Sequence, residues 1–449
     1  MHMLKVLHKA KYLSVVIVLF LGCQQANQMD VLSKFYSSDF QNSSVRPDWD
    51  QEVKQAIKAY SFTTYCVWLA GMLEKNDSLK SFVDELLLQY KDSFIVQSEH
   101  LLPKSRLGYF STTFHSFKKQ ADAVCKELKA KLTKDIRVKL GTRYDSTWSK
   151  EKYEQAVDAI IKHTPIVLSG FSQGGSIAVE IARNSIHYGL SIQGVLLMLT
   201  DLSGVVPFQK GMEDLRKFKD PDIRAGFEIV TGKSVDSNYS KMSKAKFGVG
   251  VVSPLLARFG YKTAIECMRP GSRTNLDHIQ FVRQGIDATG SKHNIPILIV
   301  AGHIGDVNDY YDYDTSDDEK TRKVEAFNKG LNIFMSGHEA AYHDGAVPFK
   351  NQFGRGPSLE DITTFSSGTC ISNIALDNMD YVMPNKPDNV DIYIVGEDVF
   401  HGKKKFKTCF AEFDNPKMLK NQELYEIEKV PREIIAWLNS KVKRHCNRK

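Results

Sequence analysis

Apolar positions fall into two regimes along the chain. Over 49–90 they recur every three to four residues (Val53, Ile57, Tyr60; Val67, Leu69, Met72, Leu73; Phe82, Val83, Leu86, Leu87), the spacing of one helical face. This predicts two or three helices with a break at Asn76-Asp77, then a further helical stretch over 114–132 and a short strand at 136–140. From 150 the pattern changes. A helix over 150–163, with Tyr153, Ala156, Val157, Ile160 and Ile161 on one face, gives way to a continuous apolar run at 165–169. A helical pattern over 176–184 and a second run, IQGVLLML at 192–199, follow. NIPILIVAG at 294–302 and NVDIYIV at 389–395 read as later strands, and REIIAWLNSKV at 432–442 as a closing helix with Ile434, Ile435, Leu438 and Val442 together. Helices alternating with short, wholly apolar strands predict an α/β protein whose mainly parallel sheet is covered by helices on both faces.

The same pattern divides the chain into a leader (1–23), a polar stretch (24–48), an N-terminal helical extension (49–135), a first part of the core (136–204), a mostly helical insertion (205–293) and a completing part (294–449) interrupted at 303–342. With 449 residues, 42% apolar and 25% charged, the composition is that of a globular protein and excludes a disordered chain, a coiled coil or a small disulfide scaffold. The net charge of +7 is spread thinly. Basic clusters at 403–407 and 441–449 hold a single interleaved aromatic, Phe406, and no repeated aromatic stacking pattern, so they read as a solvated face rather than a nucleic-acid surface.

The leader changes the picture more. Lys5, Lys9 and Lys11 precede YLSVVIVLFLG at 12–22, a stretch that as a helix would reach about 16 Å, too short to span a bilayer. It predicts a secretory signal. Gly22 directly before Cys23 resembles a bacterial lipoprotein processing site, which implies lipid attachment at Cys23 and a place in the periplasm or outer membrane; a plainly cleaved signal is the alternative. The six other cysteines could pair in an oxidising compartment or stay as buried thiols, and none has the Cys-x-x-Cys spacing of a zinc or redox site.

Gly170-Phe171-Ser172-Gln173-Gly174 is a Gly-x-Ser-x-Gly set between a predicted strand and a predicted helix. A serine hydroxyl is presented above a sheet only where the chain reverses sharply, and strand and helix then approach so closely that flanking side chains would collide. Glycine meets that demand. A phosphate-cradling turn is the alternative, though the lysine of a Walker-type loop is missing. The run IVLSGFSQGGSIAVEIA with GVLLMLTDLSG resembles the elbow region of the α/β-hydrolase superfamily, and GFSQGG resembles acyl-thioesterases and carboxylesterases in particular. The resembling blocks cover well under half of the chain.

The resemblance implies Ser172 as nucleophile, followed in chain order by an acid and a histidine. Asp344, in HDGAVPF, resembles the acid turn of lipases and esterases and is preferred; Asp306, in GHIGDVND, is the alternative acid. His401, in GEDVFHG just past the last predicted strand, is the expected base, with His303, His338 and His343 as rivals. The backbone N–H of Gln173 is the expected first donor to an oxyanion, and the second is left between the Gly141-Thr142 and Gly108 regions. Although Asp306, Asp309 and Asp312 crowd the histidines, no His-Glu-x-x-His spacing accompanies them, so neither a metal nor a cofactor is expected.

The expected activity is that of a secreted or membrane-tethered serine hydrolase acting on carboxylic esters, acyl lipids or thioesters through an acyl-enzyme. By the same resemblance the 205–293 insertion forms a cap, whose apolar patch FGVGVVSPLLARF at 247–259 would accept an acyl chain, touch a membrane surface or simply pack inward. A non-catalytic binding protein on the same fold, and an acyltransferase using the same triad, are the alternatives.

Overall fold

The computed structural model describes residues 51–62, 64–71, 96–100, 115–144, 148–205, 220–231, 263–303, 316–336, 343–344, 347–354, 383, 385–395, 399–401, 422–423 and 429–442. The chain divides at residue 58 into two compact units. Helix α1 (Gln51–Ala59), all but its last residue in the first, buries Val53 and Ala56.

The second unit is built on six strands: β1 (Thr64–Leu69), β2 (Val96–His100), β3 (Pro165–Phe171), β4 (Ser191–Met198), β5 (Ile297–Ala301) and β6 (Val390–Ile394). They lie side by side in the order β2-β1-β3-β4-β5-β6, and every neighbouring pair is parallel. Central strands of such a sheet are covered on both faces, which is why β5, ILIVA, is buried at every residue and shows no alternation. On one face Val167 and Phe171 of β3, Leu196 and Met198 of β4 and Leu298 and Val300 of β5 meet Ile434 and Trp437 of the closing helix. Around the other elements run helix α2 (Phe117–Tyr144), helix α3 (Lys150–His163) and helix α4 (Gln173–Arg183); α4 packs on β1, β3 and β4, and α2 packs on α4. Each fully buried Leu, Ile or Val contributes about 1.5–3 kcal/mol.

Local signals agree with these bounds where they exist. Ser149 caps α3 by accepting from the Lys152 N–H, and Pro165 then ends any continuation of the helix.

Two expectations for the N-terminal region are corrected. The extension read as helical, with the core starting at 136, in fact supplies β1 and β2, so the sheet begins at Thr64. The sequence TYCVWL of β1 is buried over its last five residues, and a strand buried on both faces shows no period-two alternation of apolar and polar residues; its apolar residues were therefore grouped with the helical pattern on either side. The strand expected at 136–140 lies inside α2. Val124, Leu128, Leu132, Ile136 and Leu140 form one buried row at four-residue spacing, whereas Val138, which the alternating reading needed inside, is 66% exposed.

The order of strands determines where a site can form. The chain steps from β1 outward to β2, then returns past β1 to lay down β3 on its other side. At such a reversal the connections leave the carboxyl ends of β1 and β3 in opposite directions and open a crevice between them. Ser172 follows β3 at that point.

Candidate active site

Ser172 has φ 54° and ψ −127°, a backbone conformation that L-residues avoid and that costs about 1–3 kcal/mol. The surroundings impose it: the Ser172 N–H donates to Met198 O at 2.9 Å, still in the direction of the sheet, while the Ser172 carbonyl already accepts from the Gly175 N–H at 2.9 Å as α4 begins. The flanking glycines have no room for a side chain. A Cβ on Gly170 would lie 2.3 Å from the Gly174 carbonyl carbon, and one on Gly174 would lie 2.0 Å from Leu69 O at the end of β1.

Three side chains from separate parts of the chain meet here. His401 Nδ1 lies 2.8 Å from Asp344 Oδ2, and His401 Nε2 lies 2.6 Å from Ser172 Oγ. With Nδ1–H donating to the carboxylate, Nε2 is left to accept from the serine hydroxyl. Asp344 is wholly buried, His401 is 5% exposed and Ser172 9%, so the carboxylate end of the chain of bonds is shielded from solvent. The backbone reinforces the pairing, because the His401 N–H donates to Asp344 O at 2.8 Å. Asp344 closes its own turn as well, Oδ1 accepting from the Val347 N–H at 2.7 Å. The Phe171 ring lies 5.1 Å from the His401 ring and walls one side.

Of the rival histidines, His303 is buried with its ring edge-on to Phe349. His343 is buried too, and burial pushes its imidazole down to about 4. Asp306, His338, Cys23, the Gly108 region and the 247–259 patch lie outside the described residues. Gly141 and Thr142 lie inside the last turn of α2 and not in a loop after a strand, so that option for the second oxyanion donor is withdrawn. Cys66, Cys125 and Cys267 are buried free thiols, and burial pushes the Cys66 thiol up to about 12.

No protein-family model matches the chain. No curated protein matches it either. Among solved structures it is similar to the phospholipase PlaB from Legionella pneumophila, with 8% identity and a TM-score of 0.30, over 65% of this chain and only 45% of the phospholipase. It is similar to YbtT, a type II thioesterase from the yersiniabactin biosynthetic pathway, with 16% identity and a TM-score of 0.27, over 54% of this chain and 75% of that one. A carboxylesterase from Nitrososphaera gargenis is similar with 14% identity and a TM-score of 0.23, over 59% and 79%. Likeness this loose carries no substrate across. The strand order and the strained serine between β3 and α4 decide the architecture on their own. This is an α/β-hydrolase fold. In that fold the connection after β5 carries Asp344 and the one after β6 carries His401, the order in which the sequence presents them.

Several residues at the site had no signal in the sequence beyond lying near a motif. Gln352 and Asn351 sit in a 3₁₀ helix (Phe349–Phe353) five residues past the acid turn, and both are wholly buried. Asp201 leaves β4 beside the elbow helix, accepting from Ser176 Oγ at 2.7 Å through one oxygen while the other has no hydrogen-bond partner.

Burial pushes the Asp201 carboxyl from its ordinary 3.8 up to about 6, against the pull of the Ser176 bond. A carboxyl whose folded value is raised stabilises the fold while protonated. That contribution is complete below the unfolded value and is lost as the pH rises through about 6, a change of about 3 kcal/mol. Asn at 201 keeps an acceptor for Ser176 and carries no charge. Asp201→Asn is therefore expected to gain about 3 kcal/mol on the native protein between pH 3.5 and pH 8. Urea unfolding of both proteins at the two pH values measures this, and a stability difference independent of pH contradicts it.

Proposed function

We propose that the protein is a serine hydrolase that cleaves carboxylic ester or thioester bonds through an acyl-enzyme. The observation that carries this reading is the hydrogen-bonded run Ser172–His401–Asp344, set on a strained strand-to-helix turn at the topological reversal of the sheet. Ser172 Oγ attacks the acyl carbonyl carbon as His401 Nε2 takes the hydroxyl proton, and the imidazolium so formed stays bonded through Nδ1–H to Asp344. The carbonyl oxygen, now negative, lies at the N-terminus of α4, where the helix leaves its first N–H groups without intrahelical partners. Gln173 N–H, at the first residue of α4, is the expected first donor to that oxygen. Because Gly174 packs on Leu69 and Ala70, the chain leaving β1 at residues 70–71 is the neighbour from which a second donor would come. Each such donor is worth about 3 kcal/mol in the transition state. The tetrahedral intermediate collapses as His401 returns the proton to the departing alcohol or thiol, leaving an ester on Ser172. Water, deprotonated by His401, then releases the acid and restores the serine.

Acyl lipids fall within this substrate class, and secretion by the 1–22 leader with lipid attachment at Cys23 would place the enzyme at a membrane surface. The test is labelling by a fluorophosphonate probe, which reacts with an activated serine hydroxyl. The folded native protein is expected to label stoichiometrically and Ser172→Ala not at all. A folded native protein that does not label, or a Ser172→Ala variant that labels equally, sinks the proposal.

A further inference from the structure

Gly302 falls one residue beyond the end of β5, so its peptide groups have left the sheet ladder. Gln352 takes the place of the missing strand. Its Oε1 accepts from the Gly302 N–H at 3.2 Å, and its Nε2 donates to Gly302 O at 3.0 Å. Those two bonds fix which end of the amide is which, because a flipped amide would set donor against donor and acceptor against acceptor. The amide nitrogen has a third contact, at 3.2 Å, with Asp344 Oδ2. That is the oxygen that receives His401 Nδ1–H.

The 3₁₀ helix bearing Gln352 is itself anchored. Neighbouring Asn351 donates through Nδ2 to Gly204 O at 2.7 Å, and its carbonyl accepts from the Ser203 N–H at 3.2 Å. On its other side Gly302 lies against Val399, where an added Cβ would come within 2.7 Å of the valine Cβ, two residues before His401. The Val399 N–H also donates to His303 O at 3.1 Å. The end of β5 is thus gripped between the segment that carries the acid and the segment that carries the base, with Gln352 bonded to both the strand end and the acid.

We infer that Gln352 is a positioning residue: its amide orients the Asp344 carboxylate so that Oδ2 faces His401 and the imidazole faces Ser172. The inference rests on the hydrolase reading above. A purely structural glutamine would need only the two bonds to Gly302, so the third is the one to test. The titratable side chains on the segments joined here are His303, His343, Asp344, Lys350 and His401, with Asp201 on the turn held by Asn351. His343 stays neutral above about pH 5 because burial holds it near 4.

The decisive variant is Gln352→Glu. A glutamic acid retains the acceptor for the Gly302 N–H but can donate to Asp344 only while protonated, and beside a second carboxyl it keeps that proton at the acidic end of the range. Hydrolysis of p-nitrophenyl butyrate is measured from pH 5.5 to 9 for native, Gln352→Glu and Gln352→Asn proteins, with melting temperature and fluorophosphonate labelling alongside. At pH 8.5 Gln352→Glu is expected to lower kcat about 10- to 100-fold, the value of one hydrogen bond to a carboxylate, with KM little changed. The ratio of its kcat to native kcat should rise about tenfold or more toward pH 5.5. Gln352→Asn, one methylene too short to reach Gly302 and Asp344 together, should lose kcat by a factor that does not vary with pH. It keeps the test open if the glutamate variant does not fold. A Gln352→Glu ratio that is flat with pH, or native kcat in Gln352→Asn despite a lowered melting temperature, overturns the inference alone. Absence of labelling and turnover in the native protein overturns it together with the hydrolase reading.

Discussion

Replacing Asp344 by asparagine is expected to lower kcat about 10⁴-fold while moving KM by no more than a few-fold. The reason is the arrangement of donors around the carboxylate. The Val347 N–H already claims Oδ1, so an asparagine at 344 would keep its carbonyl oxygen there and place its NH₂ where Oδ2 stood. Both His401 Nδ1–H and Gln352 Nε2 point at that position, and each would then face another donor. The imidazole escapes by moving its proton to Nε2, and in that tautomer it cannot accept from Ser172. Substrate binding does not involve the exchange, so the loss falls in kcat. Steady-state kinetics with p-nitrophenyl butyrate separate the two constants, and circular dichroism checks that the variant is folded. Asp306→Asn is the matching control: if it, and not Asp344→Asn, produced the large loss, the acid would have to be moved to 306.

The fold class and the residues of the candidate site were legible in the sequence, and two strands of the sheet were not, for reasons that particular residues make plain. Ser172 could be found because the close approach of β3 and α4 leaves no space at 170 and 174, and that steric demand is written into the sequence as glycine. His401 could be found because a histidine just past an apolar run is a conspicuous residue in a conspicuous place. Asp344 was separable from Asp306 only by resemblance, since nothing in composition or spacing tells which of two turn aspartates will face an imidazole. β1 was misread because a strand wholly inside a parallel sheet is covered on both faces and loses the alternation by which strands are recognised. β2, whose sequence is VQSEH, offers no apolar run at all. Gln352 lies beyond sequence reasoning of any kind: its role depends on a side-chain amide substituting for a missing strand, and only three-dimensional proximity to Gly302 and Asp344 reveals it.

The other large effect is predicted at Gly174, where alanine should abolish the folded elbow. A Cβ there would stand 2.0 Å from Leu69 O and 2.7 Å from Ala70 O, and both obstacles are backbone. No rotamer change can relieve them. The alternative is to push α4 away from β1, but Leu69 is in register with Gly170 and Gly170 with Leu197, so the helix cannot retreat without pulling the end of β3 out of the sheet. A destabilisation above about 4 kcal/mol is expected, read as a lowered melting temperature or a loss of soluble protein, with fluorophosphonate labelling lost in either case. The next residue provides the comparison. A Cβ on Gly175 would meet Thr200 Oγ1 at 1.9 Å and Thr200 Cγ2 at 2.6 Å, which are side-chain atoms and can be removed. Gly175→Ala should therefore be rescued by Thr200→Gly, and Gly174→Ala by no single partner substitution. Equal tolerance at the two positions would mean that the elbow does not depend on backbone contact with β1. It would also remove the reason for seeking the second oxyanion donor at that strand's end.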